Sequence, residues 1–287
     1  MEPRVLAEYL RIKGSAVDAA MDRYLPPAPL RPGIIHEAMR YSALAPGKRL
    51  RPILVLATAE MFGVPERAAM PVACALEFIH TYSLVHDDLP CMDNDDYRRG
   101  RPTSHRVFGE AIALLAGDAL LTLAFELLGR EPEEVEPALR LRVLAEVATA
   151  AGSRGMIGGQ VEDLAAEGAR PNLETLLYIH SHKTGALFRA CARAGALLGR
   201  ASPDNLERIT RYGECFGLAF QIVDDILDHQ GSDLGKGKAT FPALLGLEEA
   251  RSRAAACARE AREALQNFGQ EASVLRSLTD YIVARGQ

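Results

Sequence analysis

The sequence predicts an all-α protein, a single-domain antiparallel bundle of roughly ten helices, and three observations carry that prediction. The segments Asn172 to Leu198, Asn205 to Asp228 and Thr240 to Leu265 are rich in Ala, Leu, Glu and Arg, residues that lose little on entering a helix, and none alternates with period two. Strand and hairpin signals are nearly absent. Proline and glycine fall between the helical segments: Pro26 to Pro32, Gly47, Gly63 with Pro65, Gly100 with Pro102, Pro132, and Gly168 with Pro171. Ser202-Pro203 reads as an N-cap followed by proline at the first helical position. The connections are short, as in bundles, and none is polar or long enough to divide the chain, so residues 1–287 read as one domain.

Composition narrows the function. With 287 residues, 48% hydrophobic and 25% charged, the chain can bury a large core. A net charge of -5, from 33 basic and 38 acidic residues, argues against nucleic acid as a partner, whose footprint would be basic. Five scattered cysteines without CxxC spacing indicate neither a disulfide framework nor a zinc site, and fit a reducing cytoplasm. The N-terminus lacks a signal pattern. The most apolar stretch, Ala111 to Leu128, carries Asp118 and Glu126, so no membrane span is expected.

Two aspartate-rich segments at helical positions point to the chemistry: His86-Asp87-Asp88-Leu89-Pro90-Cys91-Met92-Asp93, and Asp224-Asp225-Ile226-Leu227-Asp228. Clustered carboxylates repel one another unless a cation balances them. Hard oxygen ligands suit Mg²⁺, which usually bridges a few carboxylates to substrate phosphates. Gln221, Asp224, Asp225 and Asp228 follow the i, i+3, i+4, i+7 pattern, so all four can point at one ligand. Asp87 and Asp93 would diverge on a straight helix, but Pro90 should end or kink it and let Asp93 fold back from a loop. Each cluster follows a strongly apolar stretch, Ala75 to Val85 and Cys215 to Val223, which argues against an ordinary solvated face.

Basic groups suited to diphosphate accompany the acids. Gly47-Lys48-Arg49-Leu50-Arg51-Pro52 opens a helix, placing Lys48 and Arg51 near its N-terminus, where the dipole also favours an anion. Arg98, Arg99 and Arg101 follow the first acid cluster, and arginine forks match phosphate oxygens. His80 lies seven residues before Asp87 on the same face. Lys183-Thr184-Gly185 sits within a helical stretch, where the glycine costs about 1 kcal/mol relative to alanine unless a ligand or another helix approaches closely.

Together these motifs, with Gly158-Gly159-Gln160 and Asp163, Phe220-Gln221-Ile222-Val223-Asp224-Asp225 and Lys238-Ala239-Thr240-Phe241-Pro242, resemble the trans-isoprenyl diphosphate synthases over nearly the whole chain, closest to the bacterial farnesyl and geranylgeranyl diphosphate synthases. The resemblance implies the isoprenoid synthase fold, helices around a central substrate cavity, and a homodimer. It implies head-to-tail condensation of an allylic diphosphate with isopentenyl diphosphate, releasing pyrophosphate. Asp87, Asp93 and Asp224 would hold Mg²⁺, three ions replaceable by Mn²⁺, with Asp88, Asp225 and Asp228 in support. Arg98, Lys183 and Lys236 or Lys238 would add positive charge at the allylic diphosphate, Thr184 and Gln221 would line the allylic carbon, and Lys48, Arg51, His80 and Arg99 would hold isopentenyl diphosphate. Two departures stand out: the Gly-Lys elements run together at Gly235-Lys236-Gly237-Lys238, which leaves open the lysine that reaches the diphosphate, and Asn94 replaces a common aspartate. A terpene cyclase would not need the second basic set, and a non-catalytic synthase subunit should have lost an acid cluster.

Product length is expected to depend on Tyr82 and Ser83, five and four residues before Asp87, which a rise of 1.5 Å per residue puts roughly 6 to 8 Å down the helix. Helical geometry aims Ser83 toward the Asp87 face but leaves Tyr82 about 140° around. The resemblance supplies that step, with an aromatic floor and a fifteen-carbon farnesyl product expected, and the twenty-carbon geranylgeranyl product as the alternative.

Overall fold

The computed structural model describes residues 1–130, 135–166, 172–230 and 240–286. The order is α1 (Pro3–Tyr24), α2 (Gly33–Ala43), α3 (Leu50–Met61), α4 (Glu66–Asp87), a hairpin of β1 (Tyr97–Arg98) and β2 (Arg101–Pro102), α5 (Ser104–Phe108), α6 (Glu110–Gly129), α7 (Pro137–Ala151) and α8 (Met156–Ala166). Then come α9 (Leu173–Ile179), a π-helical turn (His180–Gly185), α10 (Ala186–Leu198), α11 (Pro203–Gln230), α12 (Phe241–Leu245), α13 (Leu247–Ala264) and α14 (Ser273–Ala284). The protein is all-α, as the sequence predicts, with differences in three places.

The hairpin is the first. Arg99 (φ 53°) and Gly100 (φ 75°) both adopt left-handed backbone, the requirement of a tight two-residue hairpin turn, and Arg98 pairs with Arg101 across it. Two-residue strands are too short for an alternating pattern to announce them. The second is the π-helical turn within Asn172 to Leu198; Asn172 caps this helix by accepting from the Thr175 N–H at 2.9 Å. The third is Gly246, whose φ of 84° breaks Thr240 to Leu265 into α12 and α13. Ser202 does cap α11, its Oγ accepting from the Asn205 N–H at 3.3 Å.

Helices α3, α4 and α10 form the centre. Ten of the twelve residues of α3 and eleven of the thirteen of α10 are buried, as expected of helices apolar on all sides. Missing side chains allow the contact: a Cβ on Gly195 of α10 would lie 2.6 Å from the Val55 carbonyl oxygen of α3. On the other side of α4, Gly117 of α6 leaves room for His86, whose Nε2 meets the Leu114 carbonyl at 2.9 Å. Helices α4 and α6 have the length and hydropathy of a membrane span, but 78% of the α4 window and 44% of the α6 window are buried inside the protein. The apolarity of α4 is that of a core helix carrying the first acid cluster at its end.

Candidate active site

Helix α4 ends where Pro90 removes a backbone donor, and the chain then turns back. The Asp93 N–H donates to the Asp87 carbonyl at 2.8 Å and the Asn94 N–H to the Leu89 carbonyl at 3.1 Å, with Asn94 at φ 52°. Asp93 is thus returned to Asp87, as the proline predicts. Burial pushes the Asp87 carboxyl up to about 6, opposed by Lys183 and reinforced by neighbouring Asp93. Asp88 points elsewhere. It is buried and accepts from Arg98 Nε at 2.8 Å, with Arg98 Nη2 at 2.7 Å, and burial still holds it above the ordinary carboxylate range.

In the second cluster, burial likewise raises Asp224, opposed by Lys48 and Arg285; Arg285 Nη2 lies 3.8 Å from Asp224 Oδ1. Asp225 does not join it. Its Oδ2 accepts from His180 Nε2 and from the Phe241 N–H, both at 3.0 Å, and its Oδ1 accepts from Gln221 Nε2 at 3.1 Å. The expectation that Gln221, Asp224, Asp225 and Asp228 all address one ligand is therefore corrected. Successive helical residues diverge by about 100°, and a buried carboxylate is turned toward whatever donors can satisfy it. Gln221 in turn accepts from Thr184 Oγ1 at 2.8 Å. Asp228 is exposed, at the outer end of the cluster, where its charge and that of Asp224 act on Lys48.

The basic groups come from four elements. Lys48 precedes α3, and burial together with Arg285 lowers it from the usual lysine range. Arg49 is the residue before α3, held at φ 50° by ion pairs to Asp18 at 2.7 Å and buried Glu77 at 3.0 Å, and by the Ala43 and Ala45 carbonyls. With Arg49 so engaged, Lys48 and Arg51 are the groups this motif can offer a ligand. Arg51 lies 4.5 Å from the centroid of the Phe188 ring, and its buried Nε has no hydrogen-bond partner. Burial, then Arg51, Arg99, Arg98 and Arg49, hold His80 well below the usual histidine range. Arg99 donates to the Pro46 carbonyl at 2.8 Å, an approach that needs Gly47, since a Cβ there would lie 2.5 Å from Arg99 Nη1. Arg49, Asn94 and Arg99 are three of the four non-glycine residues with left-handed backbone among the described residues, and all border this region.

Lys183 projects from the π-helical turn, its Nζ 2.6 Å from Asp163 Oδ2 of α8. That packing explains Gly159, where a Cβ would lie 2.1 Å from the Lys183 backbone nitrogen. Gly217 of α11 packs on the turn, where a Cβ would come within 3.0 Å of the Gly185 Cα, while a Cβ on Gly185 itself would meet only the His180 carbonyl oxygen of its own turn at 3.3 Å.

A cavity of about 460 Å³ gathers Arg51, His80, Asp87, Lys183 and Thr184, and its wall continues over Tyr82, Ser83, Met156, Ile157 and Leu164. Tyr82 is buried, its hydroxyl unpartnered and its ring edge-on to His86 at 5.6 Å. Ser83 Oγ is turned to the His80 carbonyl at 2.9 Å. Arg98 and Arg99 meet His80 in an adjoining pocket of about 60 Å³ under the hairpin. Lys236 and Lys238 lie outside the described residues. Sequence reasoning gave no role to His180, Asp163 or Arg285. His180, three residues before Lys183, offered only its spacing, and Arg285, near the end of the chain, offered no motif at all.

Comparison with known proteins gives the family and the fold. Residues 32–282 match the polyprenyl synthetase family model. The chain is 48% identical to the chloroplastic heterodimeric geranylgeranyl pyrophosphate synthase large subunit 1 of Arabidopsis thaliana, over 96% of this chain and 78% of that protein. It is 44% identical to the geranylgeranyl diphosphate synthase of Cyanophora paradoxa, over 98% of this chain and 96% of that one. Among solved structures, the apo FPP/GFPP synthase of Zymomonas mobilis superposes with a TM-score of 0.92 at 46% identity, covering 98% of this chain and all of the other, so the fold is the isoprenoid synthase fold. The chain belongs to the polyprenyl synthetase family and is a trans-prenyltransferase.

Proposed function

We propose that the protein joins an allylic diphosphate, dimethylallyl, geranyl or farnesyl, to isopentenyl diphosphate head to tail, releases pyrophosphate, and makes geranylgeranyl diphosphate as its main product. The observation that carries this reading is one cavity lined both by the charged and polar groups Arg51, His80, Asp87 and Lys183 and by the apolar Leu84, Met156, Ile157 and Leu164. Charged groups suit a diphosphate, and the wall suits a hydrocarbon tail.

Lys48, Arg51, His80 and Arg99 hold isopentenyl diphosphate in this scheme. His80 donates a ring N–H to a phosphate oxygen, and the surrounding arginines supply the fixed charge. Lys183 and Arg98 lie with Asp87 on the allylic side. Among the described residues no three His, Cys, Asp or Glu side chains are grouped closely enough to hold a metal ion by themselves. Asp87 and Asp224, each raised by burial and opposed by nearby cations, with Asp93 returned beside Asp87, are the groups that would hold Mg²⁺ or Mn²⁺ bridged to substrate phosphate. Bound there, with Asp228 in support, the ions would neutralise charge on the departing pyrophosphate. Lys183 stabilises the same charge as the carbon–oxygen bond breaks. Thr184 and Gln221 orient the allylic carbon, the isopentenyl double bond attacks it, and pyrophosphate takes the proton. The apolar wall keeps water from the allylic cation.

The twenty-carbon product is preferred over the fifteen-carbon one because both curated relatives above carry geranylgeranyl in their names, while the structural neighbour is named an FPP/GFPP synthase. Tyr82 on the cavity wall remains the residue that would stop elongation earlier. We also place the chain in a homodimer in a reducing cytoplasm. Exposed Leu114 and Leu115 on α6 suit a subunit contact, and the five cysteines are unpaired. The reading is tested by supplying isopentenyl diphosphate with each allylic diphosphate in turn and Mg²⁺, and measuring product chain length. A main product of twenty carbons is expected; a main product of fifteen would return Tyr82 to the role of floor, and absence of elongation would reject the reading.

A further inference from the structure

Asp225 and His180 are buried, hydrogen-bonded to each other and both in contact with Phe241 of a third element, yet neither lines the cavity. Their contacts converge on the π-helical turn. Asp225 Oδ2 accepts from His180, the first residue of the turn, while Asp225 Oδ1 accepts from Gln221, which accepts from Thr184, the fifth. One carboxylate therefore grips the turn near both ends, with Lys183 between the grips. The same Oδ2 accepts the Phe241 N–H at the start of α12, and the His180 ring stacks on the Phe241 ring at 5.3 Å and 26°.

A π-helical turn holds one residue more than the α-helix it interrupts. Were the segment to relax to α geometry, the side chains on one side of it would rotate by about 100° relative to those on the other. Lys183 could not then keep both its contact with Asp163 and its place beside Asp87. Gly159 gives the turn a seat against α8, but a seat without a Cβ supplies no directional bond.

We propose that His180 is a positioning residue. With Asp225 it forms a clasp that fixes the π-helical turn and so places Lys183 and Thr184 at the cavity, and Asp225 serves as the anchor of that clasp rather than as a metal ligand. The clasp rests on the proposed function only for its catalytic consequence; its structural part stands alone.

The test uses the full chain and two substitutions at one position. His180→Gln keeps an N–H where Nε2 was and loses the ring; His180→Phe keeps the ring and loses the bond. In metal-free protein, His180→Phe should speed amide exchange across residues 180–185 and at Phe241 by about tenfold, with distant helices unchanged, and His180→Gln should stay within about threefold. In kinetics, His180→Phe should lower kcat/KM for the allylic diphosphate on the order of thirtyfold while the KM for isopentenyl diphosphate moves less than about twofold. Adding Lys183→Ala to His180→Phe should cost less than about threefold more, because the lysine is already misplaced. Unchanged exchange, equal weakening of both substrates, or full additivity with Lys183→Ala would overturn the clasp. Should His180→Phe fail to fold, Asp225→Asn, which keeps volume, is read the same way. Faster exchange with an unmoved Mg²⁺ half-activation supports the anchor, and normal exchange with a raised Mg²⁺ requirement makes Asp225 a metal ligand instead. A wild-type chain that elongates nothing would remove the proposed function and leave the exchange result intact.

Discussion

In the first aspartate cluster the helix stops and the chain turns back to return Asp93 to Asp87, whereas in the second α11 runs straight through all three aspartates to Gln230. Both clusters nevertheless divide the work alike. The leading residue, Asp87 or Asp224, is desolvated opposite cations, and the next, Asp88 or Asp225, is buried in bonds to its own neighbourhood. The partners differ. Asp88 is matched by the permanent charge of Arg98, at the hairpin, while Asp225 is matched by an imidazole, an amide and a backbone N–H from three places. Adjacent aspartates are thus not interchangeable, since the helical angle between them commits one to the ligand side and the other to the scaffold.

The largest expected effect breaks that comparison at its leading residues. Asp87→Asn and Asp224→Asn should each lower turnover by several orders of magnitude, on the scale of losing metal-borne stabilisation of the leaving group. Stability should move the other way. The folded carboxyl of Asp87, near 6, lies above its ordinary value of 3.8, so the stability it contributes is complete below about 4 and is lost as pH rises through about 6. Metal-free Asp87→Asn should therefore gain more in Tm over wild type at pH 7.5 than at pH 5, as thermal melts in chelator would reveal. Near-normal turnover in either variant would contradict the assignment.

Next in size is the division of the cations. Arg51→Ala should raise the KM for isopentenyl diphosphate far more than that for the allylic substrate, and Lys183→Ala the reverse, each by about 10- to 150-fold for a charge-assisted contact of about 1.5 to 3 kcal/mol. Steady-state kinetics with one substrate saturating gives both constants, and equal weakening of both substrates would merge the two sites into one. A smaller change in rate is expected of Tyr82→Ala, which should lengthen the product at little cost in turnover if the ring on the cavity wall limits the tail. An unchanged product distribution would make Tyr82 a packing residue beside His86.

The smallest effect belongs to His80. Its pKa is depressed in the folded protein, so the stability it contributes is present above the unfolded value of about 6.5 and is lost as pH falls through the lower folded value. His80→Gln should make the protein less sensitive to acid below about pH 6.5, in melts followed by circular dichroism. Identical pH profiles would mean that the imidazole is free to take a proton among its arginines.

These distinctions were legible in the sequence to different depths. Periodicity and capping residues located the helices, and Pro90 located the turn that brings Asp93 back, because both are local consequences of backbone chemistry. Partner choice was not local. Nothing within a few residues of Asp225 says that its acceptors will be filled by His180, 45 positions away, nor that Arg49 will be consumed by Asp18 and Glu77 while Arg51 is left for the cavity. The π-helical turn was hidden for the same reason, since Gly185 marks a weak point in the helix without saying which register it takes, and that register is set by contacts with α8 and α11. Arg285 reaches Asp224 from the residue just past α14, a contact that only the folded chain creates.

The central claim is that one cavity carries two diphosphate sites and joins their ligands. It is tested most directly by a single-turnover incubation of the full chain with farnesyl diphosphate, isotopically labelled isopentenyl diphosphate and Mg²⁺, with products resolved by chain length. The account predicts label in geranylgeranyl diphosphate, with one pyrophosphate released for each bond formed. Release of pyrophosphate with the label left in isopentenyl diphosphate, and the farnesyl chain recovered as a hydrocarbon or alcohol, would contradict it.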